Sequence, residues 1–396
     1  MRHFLALVTS MTMIAGCAAS GPRSVEETAQ PSTIRVASYN IALNDDAPGG
    51  VIARLEAGDD RARRVAAVIQ HLRPDIVLIN EIDFDEALRA ADLFQREYLE
   101  VAQFGNQPIS FPYRFATPVN TGDPSGLDLD GDGTTNGPND AWGFGRHPGQ
   151  YAMLLLSRFP IDAERARTFR KLRWETMPGA QKPMNPDGSS FYPDAIWQVL
   201  RLSSKDHWDV PVATPFGELR VLASHPTPPG FDGPEDRNGA RNHDEIRLFA
   251  DYITGGPRAA WIVDDAGVAG GLPEGARFII LGDQNADPND GSSRERVILQ
   301  LLEHPRVHPD PLPRGSGGGA EYAVASGGAN LDHVGDPDLD TGAFSPRVGA
   351  LRVDYALPSR NVEVAGSAVY WPRADQPGHD WAAASDHRLV WVDIRW

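Results

Sequence analysis

The stretch RFIILGDQNADP at residues 277–288 decides the fold. Its apolar run, with isoleucines at the centre, predicts a buried strand, and the following Gly-Asp-Gln-Asn predicts that the strand opens into a turn. Strand ends are rigid, so the polar side chains placed there hold their geometry. Asp283 and Asn285 are two positions apart and can point the same way if the strand geometry continues. Asp283 can then orient a water or protonate a leaving oxygen, and Asn285 can hold a phosphoryl group. The alternative is an Asx turn, which needs only one of the two.

Three other apolar runs also end in amide or charged residues: Asn40, Glu81, and the pair Asp386 and His387. A carboxylate directly after a buried strand suits a hard cation such as Mg²⁺, and a neutral amide adds no repulsion. Each residue alone is weak evidence, since Asn is common at strand ends and Glu81 is equally compatible with a surface position. We expect the four strand ends together to form one metal-assisted site.

Two histidines and a buried carboxylate extend this expected site. His387 can exchange protons near neutral pH. Asp354 is a charge inside an apolar strand pattern and therefore needs a partner, and an Asp behind a His fixes the tautomer of the ring. His225 ends another strand before a proline-rich turn, where it can bind phosphoryl oxygens or the leaving group.

Composition restricts the partners of the chain. The 396 residues are 41% hydrophobic, enough for a sizeable core, and the formal net charge is −17. This acidity argues against a non-specific DNA binder, which normally presents many Lys and Arg residues. It does not exclude a phosphate ester as substrate, because a bound divalent cation supplies local positive charge.

The amino terminus resembles a bacterial lipoprotein signal. Residues 4–14 are mostly apolar but too few to span a bilayer, and the single cysteine, Cys17, follows small residues. We expect residues 1–16 to be removed, Cys17 to be acylated and residues 17–33 to form a flexible tether. The protein would then be extracytoplasmic, either secreted or lipid-anchored in the cell envelope at the outer membrane or periplasmic face, with membrane contact only through Cys17. The alternative is an ordinary secretory signal with an incidental cysteine.

The remaining chain, residues 34–396, is predicted to be one mixed α/β domain with two sheets packed together and helices outside. Helices are expected at residues 61–72 and 85–104, and a strand at residues 196–203. Residues 117–150 and 314–347 are predicted to be long loops, and loops of that length are usually functional or mobile.

The first of these loops contains a calcium-loop signature. Asp128, Asp130 and Asp132 form the D-x-D-x-D-G start, with oxygen ligands at alternate positions. The usual twelfth-position Glu is replaced by Asn139, and Asp140 follows. A flexible acidic loop is the alternative, but close carboxylates repel without a cation, so we expect a structural Ca²⁺ in residues 128–140.

Taken in order, these motifs resemble the endonuclease/exonuclease/phosphatase superfamily, whose members share the deoxyribonuclease-like fold. The resemblance covers residues 34–396 and implies a four-layer α/β/β/α sandwich with two mixed sheets inside. It also implies hydrolysis of phosphate esters with Mg²⁺ or Mn²⁺. The motifs are SYN at 38–40, NE at 80–81, LLSRFPI at 155–161, SH at 224–225, GDQN at 282–285, VDY at 353–355 and SDH at 385–387.

The resemblance implies a role for each matching residue. Glu81 would be the principal metal ligand with Asn40 beside it, and Asp386 a further metal or phosphate-site carboxylate. Asp283 and Asn285 would be the pair that positions the water and holds the phosphate. His387 would be the essential histidine, Asp354 its orienting carboxylate and His225 the second histidine of the site.

The sequence therefore predicts a monomeric, metal-dependent phosphoesterase in which water attacks phosphorus. Whether Asp283 or His387 is the base stays open, as does the substrate: a small phosphate ester, a phospholipid headgroup or nucleic acid. The negative charge and the anchor favour small or scavenged extracellular esters. One alternative is an extracellular endonuclease on DNA or RNA, and another is a non-catalytic calcium-binding surface protein on the same fold.

Overall fold

Two β-sheets form the centre of the computed structural model, which describes Met1 and residues 32–309 and 313–396. Within these residues the strands, in chain order, are β1 (Ile34–Leu43), β2 (Ile76–Ile82), β3 (Tyr113–Phe115), β4 (Ala152–Ser157), β5 (Arg167–Thr168), β6 (His207–Thr214), β7 (Gly217–Ser224), β8 (Phe278–Asp283), β9 (Gly342–Ala343), β10 (Ala350–Leu351), β11 (Asp354–Pro358), β12 (Glu363–Val369) and β13 (Val390–Arg395).

Helices surround the two sheets. The α-helices are α1 (Gly50–Ala57), α2 (Asp60–Leu72), α3 (Arg89–Leu93), α4 (Asp194–Trp197), α5 (Arg237–Thr254), α6 (Leu299–Leu302), α7 (Gly318–Ser326) and α8 (His379–Ala382). A π-helix covers Phe94–Leu99, and short 3-10 helices cover Pro138–Asp140, Ala163–Arg165, Trp174–Thr176, Gly256–Ala259, Arg294–Arg296, Gly328–Leu331 and Pro337–Leu339.

Each of the two large sheets contains one parallel strand pair among antiparallel neighbours. The first sheet has the order β12-β13-β1-β2-β4-β3, and the second has the order β11-β8-β7-β6-β5. β1 and β2 are parallel in the first, and β7 and β8 are parallel in the second. Strands β9 and β10 form a separate antiparallel pair. The carboxyl ends of each parallel pair therefore meet at one edge of their sheet.

Three apolar clusters define four layers. The inner faces of the sheets pack together through residues such as Val36 and Leu78 of the first and Val210 and Ile279 of the second. The outer face of the first sheet packs on α1 to α3, and the outer face of the second packs on α5. This arrangement confirms the predicted α/β/β/α sandwich with mixed sheets.

The helix predicted at residues 61–72 is confirmed as α2. Asp59 caps it by accepting a hydrogen bond from the Ala62 backbone N–H at 2.8 Å, and Val65 and Ile69 on its buried face pack on the first sheet. Arg73, in the left-handed conformation at φ 51°, ends it.

Two predicted elements differ from the structure. The strand predicted at residues 196–203 is wrong, because α4 begins after Pro193, and Trp197 packs on Trp174 with ring centroids 5.1 Å apart and ring planes tilted by 49°. The apolar residues there suit a helical turn as well as a strand. The helix predicted at residues 85–104 is shorter, since Leu88 has φ 52° and α3 begins only after it.

The predicted loop at residues 314–347 contains helix α7, which begins with glycines. A Cβ at Gly318 would lie 2.3 Å from Cδ1 of Trp371 and 2.4 Å from its backbone oxygen. The absence of a side chain lets the first turn of the helix approach the chain after β12 closely.

Residues 32–396 form one compact unit. Of the predicted signal at residues 1–16 and the predicted tether at residues 17–33, residues 2–31 lie outside the described residues. Among the helices of the described part, none has the length and apolar character needed to cross a bilayer.

Candidate active site

The carboxyl ends of the two parallel pairs meet at one group of polar side chains. Asn40 lies in β1, Glu81 in β2 and Asp283 at the end of β8. The Asn40 amide nitrogen donates to Glu81 Oε1 at 2.9 Å and to Asp283 Oδ2 at 3.2 Å. One buried amide therefore joins a carboxylate from each sheet.

Glu81 has an unusual backbone for a glutamate. It has φ 61°, and it is skipped in the pairing of β2 with both β1 and β4, so it occupies a bulge. A left-handed non-glycine residue costs about 1–3 kcal/mol and persists where its surroundings enforce it. The bulge leaves the carboxylate partly exposed, with its second oxygen accepting from the Asn44 amide at 2.9 Å.

His387 lies between two carboxylates. Its Nδ1 is 2.8 Å from Asp354 Oδ2, and its Nε2 is 3.6 Å from Asp283 Oδ2. Burial alone would lower the pKa of His387, but Asp354 and Asp283 outweigh burial and raise it well above its ordinary value. Ser385 fixes the segment, since its Oγ donates to the Asn40 backbone oxygen at 2.8 Å and accepts from the His387 N–H.

Asp283 is held as a carboxylate. Burial favours the neutral acid, but the adjacent His387 and His225, whose Nε2 is 3.4 Å away, keep the pKa of Asp283 below its usual range. The Asn285 backbone N–H donates to Asp283 Oδ1 at 2.9 Å, as in an Asx turn. The site thus contains an anion and a cation within reach of one another.

Two predicted residues take positions at the margin of this group. Because β8 ends at Asp283, the strand geometry does not continue, and Asn285 has φ 50° with its amide nitrogen donating to the Pro226 oxygen at 3.1 Å. Asp386 is exposed, and its charge contributes to the raised pKa of His387 without its carboxylate joining the buried group.

The donor set fits a hard cation. Ligand atoms of Glu81, His225 and Asp283 all lie within 4.8 Å of one another, as do those of Asp283, Asp354 and His387. Asn80, next to Glu81, has both side-chain polar atoms buried without a hydrogen-bond partner among the described residues. Carboxylate and amide oxygens with a partly exposed Glu81 match what Mg²⁺ or Mn²⁺ requires.

Sequence reasoning missed Lys205, which precedes β6 and is 6% exposed. Burial lowers the pKa of Lys205, while the charges of Glu245, Glu81 and Asp283 raise it, and Lys205 in turn helps to lower the pKa of His225. Burial is the larger effect and leaves the pKa of Lys205 below its ordinary value, so a buried lysine lies near these carboxylates. Lys205 lies two residues before β6 and neither follows nor interrupts an apolar run, so the sequence carries no signal for it.

In the acidic loop, the structure brings together Asp128, Asp130 and Asp140, whose ligand atoms lie within 4.8 Å of one another. Asp140 is buried and accepts the Leu129 backbone N–H at 2.9 Å. Asp132 lies outside this group, and its Oδ1 accepts the Thr134 N–H at 2.7 Å.

Comparison with known proteins identifies the class. A family profile described as "Endonuclease/Exonuclease/phosphatase family" matches residues 37–387, and the chain belongs to this family. Proteins of this superfamily hydrolyse phosphate esters. No curated protein sequence matches the chain.

Among solved structures, the chain is similar to an endonuclease/exonuclease/phosphatase protein from Beutenbergia cavernae, with 18% identity and a TM-score of 0.50, covering 92% of this chain and 71% of that one. It is also similar to sphingomyelinase C from Streptomyces griseocarneus, with 17% identity, a TM-score of 0.45 and coverage of 92% and 99%. A mutant of Staphylococcus aureus beta toxin with bound magnesium ions has 12% identity, a TM-score of 0.43 and coverage of 91% and 99%. These likenesses concern the fold.

Proposed function

We propose that the protein is a divalent-metal-dependent hydrolase of phosphate esters, a phosphodiesterase or phosphatase. The observation that carries the proposal is the Asn40 amide, which joins Glu81 and Asp283 across two sheets while His225 and His387 face Asp283. A structural role alone does not require this convergence of buried ionisable groups at strand ends.

In the proposed mechanism, Glu81 and Asn40 would hold Mg²⁺ or Mn²⁺. Such a cation would supply Lewis-acid polarisation of a phosphoryl oxygen and positive charge against the charge that develops there. The Asp283 carboxylate orients the attacking water and accepts its proton as the new P–O bond forms. His387, oriented by Asp354, donates its Nε2 proton to the leaving oxygen as the ester P–O bond breaks.

Two cations assist the phosphoryl group in this proposal. Lys205 and protonated His387 are buried, so the positive charge that each supplies is more effective than in bulk solvent. His225 follows a strand of the second sheet, and its Nε2 lies 3.4 Å from Asp283 Oδ2, where it holds that carboxylate in place. Asn285 and Asp386 border the same space, and their phosphate-site roles stay predictions.

The test is a substrate panel on the purified protein with Mg²⁺, Mn²⁺ and Ca²⁺ varied separately. The panel contains p-nitrophenyl phosphate, bis(p-nitrophenyl) phosphate, a sphingomyelin-type lipid, plasmid DNA and RNA. We expect Glu81→Gln and His387→Ala to reduce kcat at least ~100-fold. Glu303→Gln is the matched control, because Glu303 is exposed and outside the site.

Each outcome of the panel separates the candidates. Preference for plasmid DNA or RNA would favour the endonuclease alternative. No hydrolysis of any ester, together with calcium binding unaffected by Glu81→Gln, would favour the non-catalytic surface protein and overturn the proposal.

We also propose that acylated Cys17 anchors the protein in the bacterial cell envelope, extracytoplasmically. The support is the sequence of residues 1–17 alone. Metabolic labelling with a clickable fatty acid should mark the wild-type protein and fail to mark Cys17→Ala. Labelling of the variant to the same extent would contradict the anchor.

We further propose that Asp128, Asp130 and Asp140 hold a structural Ca²⁺. The support is their mutual approach and the D-x-D-x-D-G pattern around Gly131 and Gly133.

A further inference from the structure

Strand β9 lies between the two segments of chain that carry Asp354 and His387. On one side Gly342 of β9 pairs with Leu351 of β10, and on the other side Gly342 bridges His387. The strand belongs to residues 314–347, which the sequence predicts to be a loop. The end of this segment is therefore built into the candidate active site.

Two backbone hydrogen bonds hold the chain on both sides of His387. The Ala343 N–H donates to the Asp386 oxygen at 2.7 Å, and the Arg388 N–H donates to the Thr341 oxygen at 2.7 Å. The residues directly before and after the histidine are thus fixed to residues 341–343.

The side chain of Thr341 holds the segment that carries Asp354. Its hydroxyl oxygen accepts the Val353 N–H at 3.0 Å and the Asp354 N–H at 2.9 Å, and Thr341 is fully buried. One residue thus contacts both segments, the first with its hydroxyl and the second with its backbone oxygen. The 2.8 Å contact between Asp354 Oδ2 and His387 Nδ1 joins the same two segments.

The Thr341 hydroxyl also acts on the Asp354 carboxylate. Burial raises the pKa of Asp354 to about 6, whereas His387 and the Thr341 hydroxyl lower it. Replacing Thr341 by a residue without a hydroxyl would therefore leave two buried N–H groups without their acceptor and remove a group that favours the charged carboxylate.

Phe344 completes the contact with the histidine. Its ring centroid lies 5.3 Å from that of His387, with the ring planes at 78°. The ring also covers Gly342, where a Cβ would lie 2.5 Å from two ring carbons. The Tyr322 hydroxyl of α7 donates to the Phe344 oxygen, so the helix holds this residue in place.

We infer that residues 341–344 position the pair of Asp354 and His387 for proton donation, with Thr341 as the principal positioning residue. The inference rests on the proposed function, in which His387 Nε2 gives its proton to the leaving oxygen. A carboxylate supports such a histidine only while the two are aligned. A displacement of about 1 Å that begins away from the reacting atoms can lower a rate by ~100-fold.

The test compares two phosphodiesters that differ in their need for a proton. Methyl p-nitrophenyl phosphate releases p-nitrophenolate, which leaves without one, and methyl benzyl phosphate releases an alkoxide that must be protonated. We expect Thr341→Val to lower kcat for the benzyl ester by ~10–100-fold, with KM and the p-nitrophenyl rate nearly unchanged. A merely structural role would lower both rates alike, and equal losses on the two esters would overturn the inference.

Two further variants serve as controls. Thr341→Ser keeps the hydroxyl and should keep the wild-type ratio of the two rates. Thr214→Val removes another buried threonine hydroxyl, which donates to the Gly217 oxygen at 2.6 Å in the turn between β6 and β7. It should also keep the ratio, because this turn lies at the end of β7 away from His225.

Phe344→Leu keeps the test open if Thr341→Val does not fold. It retains the hydroxyl of Thr341 and removes the ring contact to His387, so the benzyl rate should fall several-fold more than the p-nitrophenyl rate. An unchanged ratio in Phe344→Leu would then overturn the inference.

A comparison with His387→Ala separates this inference from the proposed function. His387→Ala should show the same selective loss of the benzyl rate, and equal losses on both esters would overturn the acid role of His387 itself. A selective loss in His387→Ala without one in Thr341→Val would overturn only the positioning role. Added to Asp354→Asn, Thr341→Val should lower the benzyl rate little further, and additive losses would contradict action through this pair.

Discussion

At the residue scale, Lys205 is a buried lysine near the carboxylates of the candidate site. Replacing it by methionine removes a charge that is unfavourable to bury. We therefore expect Lys205→Met to leave the Tm unchanged or higher while it lowers kcat/KM by roughly 10–100-fold. Thermal unfolding and steady-state kinetics check the two effects, and full activity with a lower Tm would mean that Lys205 is structural.

Asp354 is expected to act through His387. Asp354→Asn replaces the carboxylate behind the ring by an amide that can stabilise neither the imidazolium nor the required tautomer. We expect kcat to fall by ~100-fold or more, as when a carboxylate behind a catalytic histidine is removed. In the Asp354→Asn variant, kcat should no longer depend on His387, so the further substitution His387→Ala should lower kcat only a little more. Independent, additive losses would contradict the coupling.

The strand-end residues could be predicted because each directly follows or interrupts an apolar run. A polar side chain in such a place either faces solvent at the edge of a sheet or needs a partner, and both cases are visible in the sequence. Lys205 and Asp140 lack that signal, since their importance comes from neighbours that are distant along the chain. The residues that the structure brings into one group are Asn40, Glu81, His225, Asp283, Asp354 and His387.

At the scale of elements, α7 depends on a glycine at its start. A methyl group at Gly318 would overlap the Trp371 ring and backbone, so Gly318→Ala should lower the free energy of unfolding by roughly 1–3 kcal/mol. Gly230→Ala is the control, because a Cβ there meets nothing within 4 Å. Urea denaturation measures both, and equal stability of the two variants would show that the approach to Trp371 is readily relaxed.

The acidic loop gives a second prediction at this scale. Calcium at 100 times its Kd should stabilise the protein by about 2.7 kcal/mol and raise its Tm. Asp130→Asn should remove this rise, and Asp132→Asn should keep it, since Asp132 lies outside the group of close carboxylates. Calorimetry with Ca²⁺ or EDTA makes the comparison. If calcium failed to raise the Tm only in Asp132→Asn, Asp132 would be a calcium ligand, as the sequence predicts.

Elements were predicted well where the apolar pattern was long. The buried runs that became β1, β2 and β8 were recognised, but the segment around α4 was not, because Ile196 and Leu200 are compatible with either period. The helix α7 was missed because glycines at its start indicate a loop, and only its packing against Trp371 shows why they are there.

For the whole molecule, His207 makes stability depend on pH. Its Nδ1 lies 2.6 Å from the Ser203 hydroxyl and its Nε2 lies 3.0 Å from the Glu245 backbone oxygen, which suits a neutral ring. Burial lowers the pKa of His207 to about 4. Between pH 6.5 and 4 the unfolded chain therefore binds more protons than the folded one, and stability falls as pH falls.

The expected loss over that window is roughly 3 kcal/mol, with no contribution above pH 7. His207→Gln keeps one donor and one acceptor without titrating, so its Tm should fall less than the wild-type Tm between pH 6.5 and 4.5. Exposed His71→Gln is the control and should retain the wild-type slope. Parallel pH profiles for His207→Gln and the wild type would contradict the prediction.

The architecture was predictable from motif order, whereas the pairing of strands was not. Seven short motifs from residues 38 to 387 indicated one two-sheet domain. The sequence does not show that β1 and β2 run parallel in one sheet and β7 and β8 in the other. These pairings depend on contacts between segments that are far apart in sequence. Those two pairings are what place Asn40 within reach of Asp283.

The left-handed backbone at Glu81 has a consequence for anyone who evolves this protein in the laboratory. Glycine adopts that conformation freely and asparagine tolerates it, so Glu81→Gly or Glu81→Asn should melt at a higher temperature than the parent, by relief of about 1–3 kcal/mol. A screen for heat resistance alone would thus enrich variants that have lost turnover. Selections for heat resistance should therefore also require hydrolytic activity from the first round.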